Sequence, residues 1–283
     1  MSGAGVVFAV AVLVGGSNYV GVRYSNRELD PLWGAGLRFA LAAVVFGLLC
    51  AALRVALPRG RALALAVLYG LLGFAAAYGC LYWAMEEVPA GIAAVVLAVG
   101  PLLTLLLAVA HRLERLRLRA LVAALVAIAG SVLIFFQPGE TSFGLGSLVL
   151  LLLAALFASE SVVVTKSIGP LDPLAVNLVA MSAGGVALVA VAALAGEELV
   201  LPAAGKTQVA VAYLGLATVV LFLAILHLVQ RWPASKVAYT FVSMPVVAVA
   251  LGVLVAGEEL TATTIVGGLV VCAAVYLGAV KRD

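Results

Sequence analysis

Glu160 is the only acidic residue set well inside an apolar stretch of this sequence, the run 144–165, and Ser159, Ser161 and Thr165 accompany it. A charged carboxylate at that depth in lipid costs about 2.5–3.5 kcal/mol or more, so its presence asks for a reason. One reason is chemistry: such a group takes up and releases protons, or recognises an amine. The other is packing, with a protonated glutamate bonded to a neighbouring helix. Asn18 lies 142 positions earlier, also in an apolar run. It is either half of a polar pair with Glu160 or ordinary interhelical glue.

Other side chains are spaced for a pocket. Tyr78 and Tyr82 are four apart, as are Tyr239 and Ser243, which puts each pair on one helix face. A phenol supplies an apolar wall and a hydrogen bond, suiting a pocket of mixed polarity; helix packing accounts for the same spacing. Arg38 lies eight residues beyond Asp30, about 12 Å along a helix at 1.5 Å per residue. It either meets an anionic group, on a substrate or on Glu160, or holds a helix end in place. His111 and His227 fall at helix ends, where an interfacial or capping role is a plainer reading than a chemical one. Pro101 and Pro245 sit inside apolar runs as paired hinge or kink elements.

Enzyme chemistry finds no support. No His-Glu-x-x-His, Gly-x-Ser-x-Gly or Walker pattern occurs, and the three aspartates lie at predicted helix ends or the terminus. Cys50, Cys80 and Cys272 fall in apolar stretches without metal-ligand spacing. They read as small hydrophobes, and neither cofactor nor metal is expected.

The elements that must position these residues follow from composition. The 283 residues are 66% hydrophobic and 10% charged, with mean hydropathy +1.27. A soluble domain needs roughly a quarter of its residues charged, so this surface faces lipid. Apolar runs bounded by Pro, Gly and charge give ten spans: 4–22, 32–53, 62–83, 88–110, 118–136, 144–165, 173–195, 207–229, 234–256 and 260–280. Each approximates the 20 residues that cross a bilayer. No basic region precedes the first, which reads as a retained helix.

Lys and Arg set the orientation. With a cytoplasmic N-terminus, twelve of the sixteen basic residues fall on inside loops, and only Arg23, Arg27 and Lys206 fall outside. Both termini are therefore expected in the cytoplasm. Trp33, Trp83 and Trp232 fall at predicted helix ends, at headgroup level. Topology thus explains the basic residues, and nucleic acid is not an expected partner.

The sequence also repeats. At an offset of 144, Pro89, Ala90, Ala94, Pro101, Glu114 and Leu116 match Pro233, Ala234, Ala238, Pro245, Glu258 and Leu260. At 142, Asp30-Pro31-Leu32 matches Asp172-Pro173-Leu174, and Ser17 matches Ser159. A five-helix unit is odd, so two units cross the membrane in opposite senses. Glu86-Glu87 against Gln230-Arg231, and Arg115 against Glu259, have diverged in the direction that inversion requires. The expected fold is an all-α integral membrane protein of ten transmembrane helices in two inverted five-helix repeats, 1–138 and 139–283. Inverted halves can exchange conformations about one midplane site.

The segments Val88-Pro89-Ala90-Gly91 through Pro101 to Glu114-Arg115-Leu116, and Trp232-Pro233-Ala234 through Pro245 to Glu258-Glu259-Leu260, together with Arg38-Phe39, resemble the EamA-type, ten-helix branch of the drug/metabolite transporter superfamily. The resemblance covers nearly the whole chain. Gly15-Gly16-Ser17-Asn18 departs from it, since many relatives carry a tryptophan before the glycine or serine. The resemblance implies export of amino acids, other metabolites or drugs from a cavity lined by helices of both halves. It also places Arg38 outside the usual cavity-lining helices, which favours a structural charge. The expectation is a multi-pass inner-membrane secondary transporter. Its partners are a small-molecule substrate, candidate coupling protons at Glu160, and membrane lipid. The substrate-binding set is Asn18, Tyr78, Tyr82, Glu160, Tyr239 and Ser243. The alternative is a flippase or carrier of lipid or phosphorylated compounds, a cargo for which more basic residues than Arg38 would face the cavity. Nothing in the sequence speaks to oligomeric state.

Overall fold

A computed structural model describes residues 3–85, 87, 88, 93, 96–135, 144–256 and 262–280. Among them every regular element is helical. The expected motif residues Glu86, Pro89, Ala90, Gly91, Ala94, Glu258, Glu259 and Leu260 lie outside the described residues.

The helices are α1 (Gly3–Ser25), α2 (Pro31–Ala52), α3 (Arg61–Ala84), α4 (Gly100–Ala110), α5 (Leu118–Phe135), α6 (Leu145–Ile168), α7 (Pro173–Leu194), α8 (Gly205–Val229), α9 (Ala234–Ala256) and α10 (Ala262–Val275, continued by a π-helical turn, Tyr276–Val280). Eight of them are long and apolar enough to cross a membrane; α4 and α5 are shorter apolar helices. Proline and aspartate set two of the starts. Pro31 and Pro173 open α2 and α7, where the missing N–H has no intrahelical partner to lose. Asp172 accepts a hydrogen bond from Leu174 N at 2.8 Å, satisfying one of the free N-terminal donors. After α7, Gly196 takes a positive φ of 83°, the left-handed turn that ends a helix at least cost for glycine.

Two expected spans differ from simple helices. The span 62–83 contains a π-helical stretch, Leu71–Ala76, at the point where α3 meets α7. Gly70 there lies against the Ala180 carbonyl, and a Cβ on Gly184 would stand 2.5 Å from Gly70 O. The span 88–110 is a continuous described helix only from Gly100, after a turn at Ala98–Val99. Pro101 therefore opens α4 instead of lying inside a helix, whereas Pro245 does lie inside α9. Proline has no N–H to give and clashes with the preceding turn; with Gly100 before it the chain breaks.

Packing pairs helices from the two ends of the chain. α2 lies on α7 and α5 on α10; α1 packs against α8 and α9, while α6 packs against α3 and α4; α2 meets α8 and α7 meets α3. Exchanging each helix for the one five places along returns the same set of pairs. The α2–α7 seam is antiparallel: Gly36 faces Val189, Phe39 faces Gly185 and Gly47 faces Leu178. The α5–α10 seam is antiparallel too, with Arg119 Nε donating to Leu277 O at 2.8 Å and Gly130 against Gly267 and Val271. Glycine on these seams allows backbones to approach closely, the usual means of helix association in lipid.

The buried core joins Phe39, Phe46, Phe74, Met181, Leu188 and Phe222. Outward faces stay apolar, as at Val44 and Leu48 on α2, Leu216 on α8 and Leu269 on α10. An exposed apolar belt of this kind suits lipid, not water.

Candidate functional site

The two ends of the bundle are tied differently. At the end bearing the α1–α2 and α7–α8 loops, here the upper end, three carboxylates hold backbone amides. Glu197 accepts from Leu32 N at 3.1 Å and Trp33 N at 2.6 Å. Asp30 accepts from Glu198 N at 2.8 Å. Glu28 accepts from Ala203 N and, at 3.2 Å, from Ala204 N. The Trp33 indole donates to Val200 O at 2.6 Å. At the lower end Glu114 accepts from Ser235 N at 3.1 Å and from Ser235 Oγ at 2.5 Å. Lys166 donates to Val229 O, and Gln230 donates to Leu171 O at 2.8 Å.

Between these tethers lie two polar clusters. The lower one centres on Glu160, in the second half of α6. Its Oε1 stands 2.9 Å from His111 Nε2, just beyond α4. Its Oε2 is buried without a partner. The His111 side chain is 49% exposed and that of Glu160 22%, so the pair bridges the interior and the lower surface. One residue earlier, Ser159 Oγ donates to Gly100 O at 3.2 Å, steadying the break before Pro101.

The upper cluster centres on Arg38, which is 4% exposed. Its guanidinium carbon lies 4.7 Å from the Phe39 ring centre and 5.1 Å from that of Tyr78. Tyr78 and Tyr82 follow each other along α3 with ring centres 6.1 Å apart. Beside Arg38 lies a narrow cleft, too tight in this structure to admit water, lined in part by Val22, Ser25, Asn26, Tyr82 and Leu214. Asn18 is also buried, at 8% exposure, with Oδ1 lacking a partner. It lies one turn before Val22 and two before Ser25, on the α1 face that reaches this cleft.

The expected site set is thus divided. Tyr78 and Tyr82 join Arg38, with Asn18 one turn below the cleft. Glu160 stands nearer the other end with His111. Asn18 lies seven residues from the upper end of α1, Glu160 eight from the lower end of α6, and no bond joins them among the described residues. Tyr239 belongs to neither cluster: its hydroxyl donates to Ala120 O at 3.4 Å, and its ring packs on Gly278 between α5 and α10. Ser243 donates back to Tyr239 O at 2.7 Å. His227 accepts through its carbonyl from Arg231 at the end of α8. Sequence reading missed two partnerships, His111 with Glu160 and Ser17 with the Tyr213 hydroxyl at 2.5 Å. For Ser17 its match to Ser159 was a signal; for His111 only the fold brings the partner. No cluster that could hold a metal ion occurs among the described residues.

Comparison with known proteins gives this architecture its class. The sequence profile of the EamA-like transporter family matches residues 1–136 and, again, 144–279. The inner membrane transporter YedA of Escherichia coli (strain K12), itself named as uncharacterized, is 32% identical over 262 residues, covering 91% of this chain and 84% of YedA. An uncharacterized transporter of Archaeoglobus fulgidus is 24% identical over 98% of this chain and 99% of its own length. A "Probable terminal-alkyne amino-acid exporter" of Streptantibioticus cattleyicolor is 32% identical over 126 residues, 44% of this chain and 42% of that protein. One crystal structure superposes with TM-score 0.82 at 18% identity, covering 98% of this chain and 97% of its own, a likeness of fold. Apolar spans, buried polar clusters and these relatives define a multi-pass transporter of the inner membrane. The chain belongs to the EamA-like transporter family.

Proposed function

We propose that the chain is a secondary transporter that exports amino acids or similar small metabolites across the cytoplasmic membrane by alternating access. Ten helices cross the bilayer in two inverted halves, 1–138 and 139–283, with both termini and the lower end in the cytoplasm. The observation that carries this reading is the pairing of α2 with α7 and α5 with α10 in antiparallel seams. A helix and its repeat counterpart run antiparallel in contact when the axis relating them lies in the membrane plane. An axis along the membrane normal would make them parallel. Gly36 and Leu178 are 142 positions apart, as are Gly47 and Val189, so the two glycine contacts on the α2–α7 seam exchange under the repeat. Halves related this way can rock about a central site and open it to either side in turn.

Glu160 with His111 supplies the proton-linked element: a carboxylate whose second oxygen is buried and unpartnered, joined to an imidazole at the cytoplasmic end. Asn18, Tyr78 and Tyr82 supply mixed-polarity contacts for the substrate in the outer half, and Glu160 those in the inner half. Pro101, at the broken start of α4, and Pro245 in α9 are the hinge elements. The name of the Streptantibioticus relative favours amino acids as the first cargo to test.

Purified protein in liposomes, screened with amino acids, nucleosides and amines with and without a pH gradient, tests this reading. Saturable uptake that responds to the gradient in wild type and not in Glu160→Gln is the expected result. Gradient-independent uptake in both makes the protein a facilitator and Glu160 structural. No uptake across the screen sinks the metabolite reading and turns attention to lipid cargo.

A further inference from the structure

We infer that Arg38 is the binding group for a carboxylate of the transported solute, held in the outer half of the bundle under the cleft between α1, α2, α3 and α8. This rests on the transporter reading proposed above, which leaves Arg38 unassigned to substrate.

A buried structural arginine has recognisable partners: a carboxylate, or the carbonyls of a helix end. Arg38 has neither among the described residues. Its Nε is buried with no hydrogen-bond partner, and its contacts are the faces of Phe39 and Tyr78. Those rings attract the cation but leave its five N–H donors to be satisfied by something else. Three carboxylates of this end are engaged elsewhere. Glu197 holds Leu32 N and Trp33 N, Asp30 holds Glu198 N, and Glu28 holds Ala203 N and Ala204 N. With the helix-end groups already capped, the fork of Arg38 is left facing a cleft.

The chemistry of the cleft narrows the ligand. A planar guanidinium matches a carboxylate through two parallel hydrogen bonds, and one positive charge balances one negative charge. The other polar groups bordering the site are neutral: Ser25, Asn26, the Tyr82 phenol and, one turn below, the unpartnered Oδ1 of Asn18. Oδ1 accepts hydrogen bonds, so it suits an ammonium group beside the carboxylate. A zwitterionic amino acid offers both. The cleft is closed to a solute in this structure, so binding requires the helices that line it to part.

The full-length protein in nanodiscs tests the inference by thermal stabilisation. The carboxylate probes are L-leucine, L-phenylalanine and N-acetyl-L-leucine; the matched controls are leucinamide and phenylalaninamide, with glycerol 3-phosphate as the phosphate probe. In wild type L-leucine and L-phenylalanine are each expected to act at a concentration at least tenfold below the matching amide, and N-acetyl-L-leucine at one below leucinamide. Arg38→Gln is expected to weaken the carboxylates by at least about 30-fold and abolish that preference, the loss that follows when one partner of a buried charge pair is removed. Arg38→Lys should retain part of it, because a lysine keeps the charge and loses the fork. Equal responses to acid and amide in wild type overturn the inference, and that comparison stands even if Arg38→Gln does not fold. Stronger stabilisation by glycerol 3-phosphate than by any carboxylate also overturns it. Carboxylate-selective binding without uptake of any amino acid by proteoliposomes would keep the site and sink the transport reading. Amino-acid uptake unchanged in Arg38→Gln would do the reverse.

Discussion

The Glu160 carboxylate meets the His111 imidazole at 2.9 Å, tying the second half of α6 to the end of α4. These helices pack together across the two halves of the chain, so the bond lies where relative movement of the halves would be felt.

The pair is partly exposed, and its direct energy is therefore small. In a double-mutant cycle of His111→Ala and Glu160→Gln, melting temperatures should give a coupling of about 0.5–1 kcal/mol. Strict additivity would mean that the two side chains do not act on each other.

Glu114 holds the start of α9 through Ser235 N and Oγ. Removing it in Glu114→Ala leaves helix N-terminal donors free and should cost about 1–2 kcal/mol, read as a lowered melting temperature in detergent. Ser235→Ala keeps the backbone bond and should cost less.

The α3–α7 crossing leaves no room for side chains. Gly184→Val should destabilise by about 1–3 kcal/mol or more through overpacking, since its Cβ would meet Gly70 O at 2.5 Å and Phe74 Cβ at 2.7 Å. Gly79→Ala is the control: a Cβ there meets nothing within 4 Å, so stability should hold or rise slightly.

Glu28 gives the upper end a pH signature. The Ala203 N–H, and then the Thr207 side chain, hold its carboxyl below the ordinary value of 4.5. The stabilisation is therefore fully present above that value and lost as pH falls through the lowered one. Glu28→Gln should melt with a flatter acid limb than wild type between those two points. Parallel acid limbs would show that the Glu28 contacts contribute nothing.

Much of this architecture is legible in the sequence because lipid imposes it. Eight long apolar helices, and Pro and Asp at the starts of α2 and α7, follow from local chemistry. Which face of each helix meets which neighbour does not. α8 and α9 are apolar nearly all round, so periodicity does not mark a cavity side, and Tyr239 reads as well for a pocket as for the α5–α10 seam that takes it. The His111–Glu160 contact joins residues 49 positions apart through a break before Pro101 that the apolar pattern conceals. Arg38 was legible as unusual, but its lack of partners depends on carboxylates far along the chain being engaged by backbone amides.

The α2–α7 seam sets small against large at each crossing: Gly36 against Val189, and Gly47 against Leu178. If two copies of the first half paired through this surface, glycine would face glycine and leave a void. If two copies of the second half did so, leucine would collide with valine. At these two crossings only the union of unlike halves fills the space, so the mismatch there discourages each half from mating with its own kind.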